Sequence, residues 1–159
     1  MSRLRSLSCA ALVAGAALCA VAVSGLARAA DNPAIPARQA NYKQLGGAFG
    51  GINAELRKDM PDLALVRANA AKMHDLAAQL PSWFPVGSGP ETGMKTGAKA
   101  EIWSDPQGFA AAAKGLLDET ARLQQVAAGG DVDALKAQVR ATGGACKGCH
   151  DKYRAQEVR

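Results

Sequence analysis

Val132 to Tyr153 reads VDALKAQVRATGGACKGCHDKY, and within it Val132, Leu135, Val139, Thr142, Cys146, Cys149 and Tyr153 recur at alternating steps of three and four. That rhythm places all seven side chains on one stripe of an α-helix. Gly129 and Gly130 end the element before it, and Asp131 can cap its start. The stripe contains Cys146-Lys147-Gly148-Cys149-His150, the Cys-x-x-Cys-His spacing that attaches a c-type haem. On a helix both thiols project from one face, where each can add to a haem vinyl group, and the next residue brings an imidazole to the iron. The expectation is one haem c per chain, bound through two thioethers, with His150 as the metal ligand.

The remaining cysteines bear on the same point. Arg3 and Arg5 precede an apolar stretch from about Ala10 to Val23, and Ala27-Arg28-Ala29 supplies the small-x-small pattern of a secretory cleavage site. Residues 1–29 therefore read as a cleaved signal peptide, and residues 30–159 as one domain that is periplasmic and soluble after cleavage. An uncleaved anchor is the alternative, since Leu7 to Leu26 is nearly long enough to span a bilayer. Cys9 and Cys19 fall inside this segment, which leaves the mature chain only Cys146 and Cys149. A closed zinc site would have to be completed from His150, His74 or carboxylates with no recognisable second half. A thioredoxin-like pair belongs at a helix start after a strand, not deep within a helical pattern.

The formal charge of the whole chain is +5, from 19 basic and 14 acidic residues. Without Arg3, Arg5 and Arg28 it falls to +2, and neither sign concentrates on one segment. Nucleic-acid binding has no electrostatic support.

Upstream the same rhythm recurs three times. From Arg38 to about Lys58 it runs through Tyr42, Leu45, Phe49, Ile52 and Leu56. After a turn carrying Asp59, Pro61 and Asp62 it resumes at Leu63, Val66, Ala70, Met73, Ala77 and Leu80, and Pro81 stops it. Ser104 with Gln107 resembles a capping box, and Phe109, Ala113, Leu116, Thr120, Leu123 and Ala127 follow. Between the second and third stripes, Trp83 to Trp103 holds too many breakers for a long helix. It reads as a crossover loop, with a short helical turn within Thr96 to Ile102 and with Trp83, Phe84 and Trp103 pinning it over the bundle end. A link this long suits second and third helices that run parallel or lie far apart. Four stripes without a strand signal specify an all-α, antiparallel four-helix bundle. The haem fills part of its interior, supplying apolar bulk that a chain only 4% aromatic lacks. Burying that macrocycle contributes roughly 10 kcal/mol at ~25 cal/mol per Å².

Helix one also holds Gly46, Gly47, Gly50 and Gly51, which together cost about 3 to 4 kcal/mol of helix propensity relative to alanine. Their i, i+4 ridges suit close approach by another helix, a haem edge or a second copy of the chain. A homodimer through helices one and two is one of these readings.

Arg38-x-x-x-Tyr42-Lys43-x-Leu45-Gly46-Gly47, Leu80-x-x-x-Phe84-Pro85, Glu101-Ile102-Trp103 and the run from Cys146 to Arg154 together resemble the cytochrome c′ family, the four-helix class of c-type cytochromes. The resemblance implies roles for several residues. Low-spin members of the wider group carry a methionine, the sixth iron ligand, four residues after the helix-one arginine. Here that position is Tyr42, a poor ligand for ferrous iron, which implies a five-coordinate, high-spin iron with Tyr42 packed over its vacant face. The arginine at the Arg38 position lies near a haem propionate in such proteins, where a guanidinium makes two charge-assisted bonds. A salt bridge on the helix surface is the plainer alternative. Arg154 is implied to lie over the opposite, proximal face; charge balance at a helix end is its plainer alternative. Met60, Met73, Met94 and His74 are rival sixth ligands, of which Met73 reads as core filling and His74 as a flank residue.

These roles lead to a gas-binding protein, not an enzyme, that takes up nitric oxide and more weakly carbon monoxide at the vacant iron position. A periplasmic electron carrier meeting redox partner proteins is the alternative. Peroxidase-like turnover lacks a visible distal His–Arg pair to promote O–O cleavage. The orientation of the Tyr42 hydroxyl decides which ligands an otherwise apolar distal side admits. Whether nitric oxide ends on that face or displaces His150 beneath Arg154 stays open.

Overall fold

A proline lacks the N–H that the first turn of a helix leaves unpaired in any case. Helix α1 accordingly starts ahead of Arg38 and spans Ala34–Glu55, with Pro36 in its opening turn. The computed structural model describes residues 32–156, so the leader with Cys9, Cys19 and the cleavage pattern lies outside the described residues. Asn32 Oδ1 accepts from the Ala34 N–H at 3.1 Å and caps α1 from just outside. Helix α2, Leu63–Gln79, is capped by Asp62, whose carboxylate accepts from the N–H groups of Ala64 and Leu65. The turn between them closes on buried Glu55, which accepts from Lys58 Nζ at 2.6 Å and from the Asp62 N–H at 3.0 Å.

Pro81 does not end the rod at once. It opens a 3₁₀ turn, Leu80–Trp83, that carries Leu80 and Trp83 into the core. The crossover holds a second 3₁₀ turn at Pro90–Thr92 and the short α3, Glu101–Ser104, the latter one turn past the centre of the expected segment. Helix α4 spans Pro106–Gly129, and its cap is Asp105, not Ser104. Pro106 explains the shift: with φ preset and no N–H to satisfy, it takes the first helical position and hands the cap to its predecessor. Gly130, at φ 77°, ends α4 in the left-handed region, and Asp131 accepts from the N–H groups of Asp133 and Ala134 to start α5, Val132–Tyr153.

The six stripe residues expected in the third long helix are the six buried residues of α4. In α5, Leu135, Val139, Thr142 and Tyr153 are buried, while Val132, Cys146 and Cys149 pack half-buried against the core. The bundle is formed by α1 on α2, α2 on α4 and α4 on α5. Arg67 near the start of α2 reaches the Ala127 carbonyl at the end of α4, and Gln138 of α5 reaches Glu119 of α4, so each neighbour is antiparallel.

This overturns the expectation that the long crossover serves parallel or distant helices. α2 and α4 pack directly, and the crossover spends its length elsewhere. Residues 97–99 pair with the end of α5: Lys99 N–H donates to the Tyr153 carbonyl at 3.0 Å and Ala155 N–H to the Gly97 carbonyl at 2.8 Å. An antiparallel bridge joins Ala98 to Arg154 between those bonds.

Candidate functional site

The fourth seam, α1 against α5, lacks the packing of the other three. Phe49 approaches Gly143 midway. Toward the crossover end the two helices part around a cleft of about 570 Å³. Tyr42 and Gly46 line its α1 side, Cys149, His150 and Tyr153 its α5 side, with Phe84, Ile102 and Phe109 among its apolar walls.

On α5, Cys146 and Cys149 are half-buried free thiols, and burial pushes both above the usual thiol pKa. His150 lines the cleft beside Cys149. Burial, and then the charge of Arg154, lower its pKa, which favours the neutral imidazole that has a lone pair to give a metal. Arg154 is exposed at the rim, its side chain against Gly97.

Opposite, Tyr42 is half-buried with its ring edge-on to Trp83 at 5.2 Å and to Phe84 at 6.3 Å. Its phenol makes no hydrogen bond among the described residues, and burial, followed by the two cysteines, raises its pKa well above the ordinary value. Arg38, one turn earlier, is 3% exposed. Its Nη1 donates to Ser88 Oγ at 2.9 Å and its Nη2 to Thr96 Oγ1 at 2.8 Å, with Phe84 stacked 5.0 Å from the guanidinium carbon. No carboxylate pairs with it among the described residues, so the surface salt bridge is absent. Burial lowers its pKa, opposed by Tyr42 and by the Glu91 carboxylate, which makes no ion pair with it, and a buried cation with no anion in contact is costly unless one comes to it.

The rival ligands lie elsewhere. Met60 is 89% exposed in the α1–α2 turn, Met73 is buried in the core, and neither Met94 nor His74 lines the cleft. His74 is half-buried on α2, with Nδ1 unpartnered. Of the helix-one glycines, Gly51 packs on Asn69 of α2, whereas a methyl group at Gly46, Gly47 or Gly50 would meet nothing within 4 Å. Packing within the chain therefore accounts for one of the four.

Sequence reasoning passed over Asp105. Besides capping α4 through the Gly108 N–H at 3.0 Å, it accepts from Lys152 Nζ at 2.6 Å and from the Tyr153 hydroxyl at 2.9 Å, tying the last turn of α5 to the start of α4. These bonds, Lys152 first, hold its carboxyl down at about 2. An acidic residue directly before Pro106 was the available signal. Ser88 and Thr96, the partners of Arg38, had none, because they come from a loop fifty and more positions away.

An open seam with the Cys149 thiol on its wall, the Cys146 thiol one helical turn earlier, an adjacent imidazole, apolar walls and a buried cation with no anion in contact suits a flat apolar macrocycle that carries acidic side arms. Fold and cleft together define a class, the helix bundle that takes a haem between two of its helices. The chain belongs to the cytochrome c′ family: the family model described as Cytochrome C′ matches residues 33–154. The cytochrome c′ of Rubrivivax gelatinosus is 36% identical over 76% of this chain and 93% of its own length. That of Alcaligenes xylosoxydans xylosoxydans is 34% identical over 78% and 94%. The crystal structure of cytochrome c′ from Thermochromatium tepidum superposes with a TM-score of 0.72 at 30% identity, covering 77% of this chain and 95% of that one. Membership implies a c-type haem as cofactor.

Proposed function

We propose that this chain is a periplasmic, five-coordinate haem c protein that binds nitric oxide, and more weakly carbon monoxide, after removal of residues 1–29. The observation that carries the reading is the pairing across the cleft: His150 on α5, with no methionine or second histidine among the lining residues to complete a ligand pair. A c-type haem would supply an iron able to take a small gas as ligand. Cys146 and Cys149 would hold it by thioethers, and His150 would give its lone pair to the iron. Arg38, kept in place by Ser88 and Thr96, would receive a propionate. Tyr42 would wall the α1 side of the cleft, and Arg154 would stand at the rim on the α5 side. Support for the ligand comes from a structural relative, a mutant of cytochrome c prime from Alcaligenes xylosoxidans solved as a nitric oxide complex at 30% identity and a TM-score of 0.69.

The optical spectrum of the reduced protein with and without carbon monoxide tests this. A broad high-spin spectrum that sharpens with the gas is expected; a sharp six-coordinate spectrum indifferent to it refutes the open position. Tyr42→Met sharpens the test by offering a thioether from α1, which should convert the iron to six-coordinate and slow carbon monoxide binding at least tenfold. A homodimer through α1 and α2 belongs to the same reading, supported by the uncovered Gly47 and Gly50 and by Leu65, 44% exposed near the start of α2. Another relative is described as a cytochrome c′ with ligand-controlled dimer dissociation. Sedimentation of the haem-loaded protein checks the dimer.

A further inference from the structure

The phenol of Tyr42 is an unusual object in this cleft. Two neighbouring aromatic donors are engaged: the Tyr153 hydroxyl donates to Asp105, and Trp103 Nε1 donates to the carbonyls of Phe84 and Pro85. The Tyr42 hydroxyl, by contrast, has no acceptor among the described residues and belongs to a cleft-lining side chain. Nor is its hydroxyl sealed in the protein, where it would stand with His74 Nδ1 as a buried polar atom lacking a partner. The ring cannot swing freely, because Trp83 and Phe84 meet it edge-on from two directions. An O–H held by a clamped ring and opening onto a cleft is a preorganised donor. Burial keeps it protonated, since its pKa is displaced upward.

We infer that the Tyr42 hydroxyl donates a hydrogen bond to the small ligand bound on the α1 side of the cleft, so that it strengthens the binding of ligands with acceptor character more than that of apolar ones. This rests on the open iron position proposed above. The otherwise apolar side of the cleft offers such ligands no other aromatic hydroxyl, since that of Tyr153 is taken by Asp105. A donor aimed at a charged acceptor in a water-poor site is among the stronger hydrogen bonds, whereas carbon monoxide, a feeble acceptor, gains little from it.

Tyr42→Phe removes the hydroxyl and keeps the ring and its two edge contacts. With the haem-loaded protein and cyanide as the anionic probe, ferric affinity should fall about tenfold in Tyr42→Phe, while ferrous affinity for carbon monoxide changes less than twofold. The infrared C–N stretch of the cyanide adduct should shift between H₂O and D₂O in the parent and stand still in the variant. Equal changes for both probes, or none for either, overturn the inference, as does a parent band insensitive to deuterium. A parent that binds neither probe instead overturns the open iron position, and this inference falls with it.

Discussion

At the closed end of the bundle, where α1 turns into α2 and α4 into α5, every demand is met by the chain itself. Glu55 satisfies the first turn, Gly130 and Asp131 the second, and Arg67 reaches across to the Ala127 carbonyl near the end of α4. At the cleft end the materials change. Both tryptophans, both tyrosines, Phe84 and Phe109 form one edge-to-face chain, and only Phe49 among the aromatic residues lies outside it. That end also holds a buried arginine without a carboxylate and a phenol without an acceptor. One end is a finished core; the other is half of a contact.

The strongest way to break this contrast is to prevent the other half from being joined. Replacing Cys146 and Cys149 together with alanine should leave no haem attached after acid-acetone extraction, and amide exchange should rise across the first half of α1 and the crossover while the closed end stays protected. Haem that remains covalent, or an evenly loosened chain, would show that the two ends are not separate in this sense. Leu123→Ala probes the opposite end. Leu123 is wholly buried in α4, so its truncation should cost about 2 to 5 kcal/mol in denaturant unfolding, yet leave the spectrum of the carbon monoxide complex unchanged. A shifted spectrum would join the ends again.

A smaller effect concerns the Asp105 clamp. Its carboxyl is held at about 2 against an ordinary 3.8, a depressed value, so the stability it contributes is fully present above 3.8 and is lost as pH falls through about 2. Asp105→Asn should therefore lower the melting temperature at neutral pH, and the gap to the parent should narrow between pH 3.8 and 2. A gap constant over that range would refute the ionic part of the clamp. Smallest of all, Gly47→Ala adds a methyl group to open space on α1 and should stabilise the isolated chain by about 1 kcal/mol. If stability or the dimer is lost instead, a second copy covers that face.

The parts legible in the sequence were those set by local periodicity. The stripe of α4 came out residue by residue because burial on a helix repeats every three or four positions, and the haem-binding run is local too. Helix starts were less legible: the first stripe read from Arg38 whereas α1 begins at Ala34, and Ser104 looked like a cap, because the cost of a proline such as Pro36 or Pro106 depends on where the first turn falls. The crossover was legible only as irregular chain. Its pairing with residues 153–155 and its two hydroxyls on Arg38 are long-range matters that no periodicity records. The same holds for Tyr42, whose place on a stripe was evident while the freedom of its hydroxyl was not.

The short pairing at Gly97 to Lys99 has a consequence for how the molecule breathes. Thr96 is bonded to α1 through Arg38, while Lys99 and Gly97 are bonded to Tyr153 at the end of α5 and to Ala155 just beyond it, so this short segment forms a hasp between α1 and the end of α5. Opening the hasp costs two backbone hydrogen bonds and the packing of the small Ala98 side chain, far less than parting any packed pair of helices. The amides of Lys99 and Ala155 should therefore exchange with solvent on their own clock, ahead of the bundle, at the rim of the cleft that Gly97, Ala98 and Ala155 line.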